Sequence, residues 1–473
     1  MKLSVLLVHQ GVPLDFLESF SRTHPGRYVL VTTHEFFPSE LGRLSGFASP
    51  PFAIIRDRDL IEEEDFDRID EAVSSEFVAS GRPFAHAHEI NEAILVHRAA
   101  IVKERLESRF GTDELEFFHA DGLGINAAWW RASGSTPLCE PETVQPTPRS
   151  VIRSIRQRFE GSKRWSQVIP KSGNRIVLGG RLTRIASRLP RDAEIKTASI
   201  LQRLRYAFPI PFSKIAGRTV FAAPVHDYAP SLRRPTLVLQ DGHLPRDYSK
   251  SLLFCYPKSD RLVPSNPFAE EWVVRSGFAP QRIVGFSDPD FALPGADRGR
   301  ISNLLLAMNH AGDWTPFIHR SDTDRLVLEF IRMAEANPRL NFRIRPHPTM
   351  VHPSHEGTGS LDRIRKEIKH SALSNLEIST ETLDEDLSWA GVVISEYSQV
   401  LIDAWRSGQL GIVFNPTGRR SFMKEFEELG FPCADSTGDI VRMTESAASL
   451  TLQQRDATIE YNRILSEWRL RAS

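Results

Sequence analysis

Two α/β domains in tandem are what this sequence predicts, on three observations. Short apolar runs alternate with helical stretches from the start, at Leu3–Val8, Leu14–Ser21, Tyr28–Thr32 and Phe52–Arg56, which reads as the opening of a twisted α/β sheet. The same alternation starts afresh at Ile301–Ala307. Between the two series, residues 286–299 carry two prolines, two glycines and three aspartates and read as an interdomain linker.

Composition agrees with this and excludes several classes. A chain of 473 residues has room for two or three domains with full cores. Hydrophobic residues at 41% and charged ones at 25% are ordinary for a soluble globular protein. A net charge of −1 argues against a globally basic nucleic-acid binder, so no nucleic-acid partner is expected. Cys139, Cys255 and Cys433 are odd in number and widely spaced, which gives neither a disulfide framework nor zinc-ligand spacing. Met1–His9 has one basic residue and a brief apolar run, better suited to a core strand than to a signal peptide. No run reaches the roughly 18 apolar residues of a transmembrane helix. The expected location is therefore the cytoplasm, at most peripheral at the inner face of the cell membrane.

In chain order, residues 61–110 are charged and helix-rich, with Ile90, Ala93, Ile94 and Ile101 giving an apolar stripe. Leu115–His119 returns to strand, and Thr136–Pro148 reads as a loop. From Arg149 to Arg191 twelve lysines and arginines face a single acid, Glu160. Near 149–193 this predicts a basic helical insertion, with Val151, Ile152, Ile155 and Phe159 on one face and Arg153, Arg156 and Arg158 on another. It is either a solvated helix or a surface for anionic lipid or a polyanionic glycan. Thr236–Leu239, Leu252–Cys255 and Arg282–Val284 are further expected strands. In the second half a helix is expected over 322–336, with Val327, Phe330, Ile331 and Ala334 inward. A strand follows at Leu340–Ile344, then a basic helix near Leu361–His370, a strand at Leu376–Ser379, and a capping box at Thr382-x-x-Glu385.

Two stretches of that half carry chemistry. Arg345-Pro346-His347-Pro348 follows a buried strand, and its prolines hold His347 on a stiff loop at the strand's carboxyl end, where open α/β sheets bind ligands. Arg345 offers a planar fork for phosphate, and His347 can donate a proton. About fifty residues on, Val392–Ile394 is a strand, Ser395-Glu396-Tyr397-Ser398 opens a helix, and Gly408 stops it before the strand Gly411–Phe414. A helix that starts on hydroxyl residues suits a phosphate. Ser398 read alone is equally a plain N-cap.

In that order, Arg-Pro-His-Pro and then strand–Ser-x-Tyr-Ser–helix with Asp403 inside it, the chain resembles the histidine–proline-motif transferases of bacterial surface polysaccharide synthesis. These include capsule Kdo transferases, polysialyltransferases and CDP-glycerol glycerophosphotransferases. The resemblance covers roughly residues 236–450 and implies a GT-B fold, two Rossmann-like lobes facing across a cleft. The implied layout is an acceptor-side lobe over 1–290, a nucleotide-donor lobe over 300–450, and a helix within 451–473 that crosses back.

What it implies chemically is a metal-independent, cofactor-free glycosyltransferase whose co-substrate is a nucleotide-activated sugar. The expected donor is a cytidine nucleotide of a Kdo- or sialic-acid-like sugar, and the acceptor a growing capsule polysaccharide or glycolipid. In this reading His347 neutralises the leaving phosphate, and Arg345, Ser395, Ser398, Glu396 and Asp403 bind the donor. Asn309 and Gly312, after the first strand of the donor lobe, are added as loop residues able to approach a diphosphate. Asp241, at the carboxyl end of the Leu237–Leu239 run, is the candidate base, with His243 behind it. Gln240 stands where relatives have a first acid, and Gln399 where many have a second serine. CDP-glycerol or CDP-ribitol phosphotransfer, 2-epimerisation of a nucleotide sugar, and a non-catalytic capsule-assembly role are the alternatives. His347, His352, His355 and Glu356 cluster in sequence, but Pro348 and Pro353 break any helix that would align them on a metal. His86, His88 and His97 do not share a helix face either.

Overall fold

The computed structural model describes residues 3–8, 12–24, 27–80, 87–111, 115–120, 134–138, short segments between 166 and 283, 300–309, 320–351, 358–396, 398–416 except 407, 424–447 except 429, and 450. Two compact units divide the chain: Met1–Val73, Asn91–Glu142 and Ala292–Ile459 form the first, and Ser74–Ile90, Thr143–Phe291 and Glu460–Ser473 the second. The expected class is what is found, mixed α/β built on parallel sheets.

The chain opens with β1 (Leu3–Val8), α1 (Leu14–Thr23), β2 (Tyr28–Thr32), α2 (Pro38–Ser45), β3 (Ala53–Arg56), α3 (Glu63–Ala79), α4 (Ala87–Phe110), β4 (Leu115–Ala120) and β5 (Thr136–Pro137). The strands pair in parallel in the order β3-β2-β1-β4-β5. Every residue of β2 is buried, as expected of a parallel strand covered on both faces, which reads as a continuous apolar run. α1 covers it through Leu17 and Phe20, and Phe20 meets the Tyr28 ring edge-on at 5.3 Å. Burial pushes the Tyr28 hydroxyl up to about 12. On α4 the predicted stripe is inward: Ile90, Ile94 and Ile101 are buried.

Described parts of the second unit include two three-stranded sheets. β6 (Ser166–Pro170) pairs antiparallel with β7 (Ile176–Leu178) and β8 (Ala193–Thr197). β9 (Val220–Ala223), β10 (Leu237–Gln240) and β11 (Arg261–Val263) form a parallel sheet in the order β11-β10-β9, and α5 (Pro267–Arg275) follows. Part of the stretch expected to be a basic helix is therefore strand, where β-branched Val168, Ile169, Ile176 and Val177 favour extended backbone. The amphipathic piece around Val151–Phe159 lies outside the described residues, as do the strand expected at Leu252–Cys255, the linker 286–299 and the crossing helix Leu452–Leu470. Arg282 belongs not to a strand but to a short 3-10 turn, Pro280–Arg282, opened by a proline whose fixed φ suits that position.

The remaining elements return to the first unit: β12 (Arg300–Ala307), α6 (Arg320–Ala336), β13 (Asn341–Arg345), α7 (Pro348–Val351), α8 (Thr358–Ser371), β14 (Leu376–Ile378), α9 (Leu383–Trp389), β15 (Ala390–Ser395), α10 (Gln399–Arg406), β16 (Leu410–Phe414), α11 (Lys424–Glu428), β17 (Cys433–Ala434) and α12 (Thr437–Glu445). All six strands run parallel, in the order β14-β13-β12-β15-β16-β17. Val327, Phe330, Ile331 and Ala334 of α6 are buried as predicted. The capping box closes as predicted too: Thr382 Oγ1 accepts the Glu385 N–H at 3.3 Å, and Glu385 Oε2 accepts the Thr382 N–H at 2.9 Å. That backbone bond holds the Glu385 carboxyl below its usual range. Gly408 ends α10 at φ +82, a conformation costly for any residue with a Cβ.

Within the first unit, α2 docks against α8. Phe37, just before α2, is buried in the same apolar cluster as Leu304, Phe330, Phe342 and Ile364. Beside it Arg363 of α8 makes a fork on Glu40, Nε at 2.9 Å and Nη2 at 2.8 Å, and gives Nη1 to Asp324 at 2.9 Å. It also donates to the Glu35 carbonyl and lies 4.8 Å from the centre of the Phe37 ring. Burial disfavours the charge on Arg363, yet Asp324 and Glu40 more than offset it and hold the guanidinium above its ordinary value. Arg58 with Asp322 at 2.5 Å, and Ser39 with Glu367, complete the contact.

Candidate functional site

The order of the six-stranded sheet fixes where a ligand would sit. From β12 the chain lays β13 and β14 to one side, then returns to lay β15, β16 and β17 on the other. Such a reversal leaves a crevice outside the carboxyl ends of the two strands that flank it, here β12 and β15. The register brings three strand ends level: Ala307 pairs with Arg345, and Leu306 with both Ile344 and Ile394. With strands about 4.8 Å apart, the ends of β13 and β15 are roughly 10 Å apart, on either side of Ala307. Asn309, His347, Glu396 and Ser398 all follow directly from these ends.

His347 is half-buried, with a buried Pro346 before it and Pro348 after it in the chain. Its carbonyl accepts the Met350 N–H at 2.8 Å, so the residue opens the single turn α7, with Pro348 in the first helical position. Neither neighbouring proline has an N–H to satisfy, and both fix φ. The strand behind is pinned, Arg345 carbonyl accepting from Met308 N at 3.0 Å and Ile344 carbonyl from Ser379 N at 2.8 Å.

Arg345 is engaged within the fold. Its Nη1 donates to Asp386 Oδ2 at 2.5 Å and to the Glu381 carbonyl at 2.9 Å. Asp386, fully buried, also accepts from Arg343 Nη1 at 3.2 Å and from the Ser379 hydroxyl at 2.7 Å on each oxygen. Arg343 itself stacks over the Trp389 ring at 4.0 Å. The arginine expected to receive phosphate thus braces β13 against α9.

The two serines part company. Ser395 is fully buried, and its hydroxyl donates to the Ala307 carbonyl at 2.7 Å, fastening β15 to β12. Ser398 is half-buried and caps α10: Oγ accepts the Val400 N–H at 3.2 Å and its carbonyl accepts the Leu401 N–H at 3.0 Å. Glu396, between them, is only 6% exposed. Asp403 is half-buried one turn further along α10, on a helix whose Leu401, Ala404 and Trp405 face the core. Asn309 is half-buried just beyond β12.

Asp241, His243 and Gly312 lie outside the described residues, Gln240 being the last residue of β10. So do His352, His355 and Glu356; among the described residues no group of three His, Cys, Asp or Glu side chains could hold a metal ion. Among those residues, too, no helix is long and apolar enough to cross a membrane. Sequence reasoning missed Asp386, hidden next to Glu385 of the capping box, and Asn415, which is buried at the end of β16 and donates its N–H to the Ala434 carbonyl at 2.8 Å.

No family model matches the chain, and no curated protein does. Solved structures to which it is similar include HepE of Anabaena in complex with UDP and glucose, 8% identical, covering 99% of this chain and 95% of that one at a TM-score of 0.32. A glycosyltransferase from Rickettsia africae ESF-5 is 10% identical over 98% of this chain and 96% of that one, at 0.31. The wall teichoic acid polymerase TagF is 11% identical over 53% and 77%, at 0.31. Likeness at such scores carries no argument, and the architecture stands on the strand order and registers above.

Proposed function

We propose that the chain is a GT-B-type glycosyltransferase that binds a nucleotide-activated sugar at the carboxyl end of the six-stranded sheet. One observation carries the reading: the strand order reverses beside β12, and His347 and the Ser398-capped start of α10 follow from strand ends on either side of it. A phosphate at that helix start would meet backbone N–H groups and the positive end of the dipole. His347, on its proline-held loop, would supply a charge-assisted hydrogen bond or a proton to the departing nucleotide phosphate. Asn309 and Glu396 are the polar groups nearest that crevice in the chain's course, and Glu396 suits a ribose or sugar hydroxyl better than a phosphate.

The finer reading keeps a cytidine-nucleotide donor of a Kdo- or sialic-acid-like sugar, a capsule or surface-polysaccharide acceptor, and Asp241 with His243 as the acceptor's base. It needs no metal. Titration calorimetry of the full chain against CMP, CDP, UDP and GDP is the first test. At least one nucleotide binds, and His347→Ala weakens that binding or abolishes transfer to an acceptor while circular dichroism is unchanged. Failure of all four to bind the wild-type chain refutes the proposal.

A further inference from the structure

We infer that Asp386 is a positioning residue for His347, acting through Arg345. Asp386 accepts hydrogen bonds from Arg343 and Arg345 on β13 and from Ser379 just after β14, and is fully buried. Arg343 and Arg345, two apart on a strand, project to the same face. Without a shared counter-ion, two guanidinium groups would repel each other there and one would turn to solvent. Asp386 removes that conflict and ties both to α9, whose own start is fixed by the Thr382–Glu385 capping box. The Glu381 carbonyl gives Arg345 a second anchor in the same loop.

From Arg345 to the imidazole there is little slack. The Arg345 carbonyl is held by Met308 N, Pro346 has a fixed φ, and Pro348 starts α7 with the His347 carbonyl already bonded to Met350 N. The direction in which His347 leaves the backbone is therefore inherited from Arg345, and through it from Asp386. Arginine in this motif is the rear brace of the histidine, and its carboxylate partner sits about forty residues downstream. The functional arm of this inference rests on the transferase reading; the structural arm does not.

The test uses the full chain labelled with isotope-enriched histidine, with the His347 ring signal assigned by its loss in His347→Gln. Asp386→Asn is expected to move and broaden that signal, and Asp386→Glu to restore part of it. Glu377→Gln, which removes the exposed partner of Arg343, should leave it where it was. Binding of whichever of CMP, CDP, UDP and GDP the wild-type chain takes up, measured by calorimetry, should fall about tenfold in Asp386→Asn, the scale of one hydrogen bond to a charged group. A His347 signal that stays put while the melting temperature drops overturns the inference and makes Asp386 a purely structural acid. A signal that moves in a chain to which none of CMP, CDP, UDP and GDP binds upholds the positioning role and sinks the transferase reading instead. Should Asp386→Asn fail to fold, Arg345→Gln cuts the same link from the other end and is read by the same signal.

Discussion

Replacing Arg363 by methionine tests the contact that joins the two sheets of the first unit. The side chain loses a bidentate pair to Glu40, a bond to Asp324 and one to the Glu35 carbonyl, but its length and its cover over Phe37 are largely kept. What remains is two carboxylates that the fold has already desolvated. Glu40 is 16% exposed and can recruit water, whereas Asp324 is 1% exposed and cannot. Breaking a buried pair by removing one partner costs about 3–5 kcal/mol. The access of Glu40 to water argues for the lower end, about 3 kcal/mol. For a unit of this size that lowers the melting temperature by on the order of 5–10 °C.

Differential scanning calorimetry with near-UV circular dichroism reads the change. Arg363→Lys should recover only part of the loss, since a lysine is a point charge and cannot make the fork. The triple change Arg363→Met, Glu40→Leu, Asp324→Leu should recover most of it, because an apolar set of similar volume needs no desolvated charge. A single variant within about 0.5 kcal/mol of wild type, the scale of an exposed ion pair, would mean that the cluster is open to water and the two sheets are not joined there.

Two further changes probe the sheets themselves. Gly411→Ala in β16 would put a Cβ 3.0 Å from Phe431 Cε1 and 3.5 Å from the Leu401 carbonyl, with Phe431 already packed on Trp405 at 4.2 Å and Phe426 at 5.2 Å. Overpacking of about 1–3 kcal/mol outweighs the roughly 0.4–1 kcal/mol gained by restricting the unfolded chain, so denaturant midpoints should fall; an unchanged midpoint shows that the ring moves aside freely. Tyr28→Phe should alter the alkaline limb of stability. Burial holds the folded phenol protonated up to about 12, while the unfolded one ionises near 10. Wild-type stability therefore drops between those values by roughly 2–3 kcal/mol, and the variant, measured by urea unfolding over that range, should show a flatter slope.

How far the sequence could be read follows from which interactions are local. β1, β2, α6, the capping box at Thr382 and the glycine stop at Gly408 were legible because periodicity, cap chemistry and positive φ act within a few residues. At the expected strand Arg282–Val284 only the start was misread: Pro280 opens a turn that takes in Arg282, and extended, bridge-forming backbone begins at Ile283. Arg363 was invisible as a clamp, since an arginine on a basic helix looks the same whether it faces water or Asp324. Asp386 was masked by its neighbour: Glu385 explained the local pattern so well that the next carboxylate had no work left to do.

That limit bears directly on the candidate site. Four side chains stood out by type as phosphate partners: Arg345, His347, Ser395 and Ser398. Residue type cannot tell a ligand from a brace, because phosphate and the protein's own carboxylates and carbonyls present the same acceptors. The fold supplies the missing half. Ser395 donates to the Ala307 carbonyl within the sheet and Arg345 gives Nη1 to Asp386 of α9 and the Glu381 carbonyl before it, so each is engaged within the fold. His347 and Ser398 are half-buried at strand ends on either side of the reversal, one held by prolines and the other by a helix start. If binding of a nucleotide falls further on Arg345→Gln than on His347→Gln, with the His347 signal unmoved in the first, the arginine is the ligand after all and this division of roles is wrong.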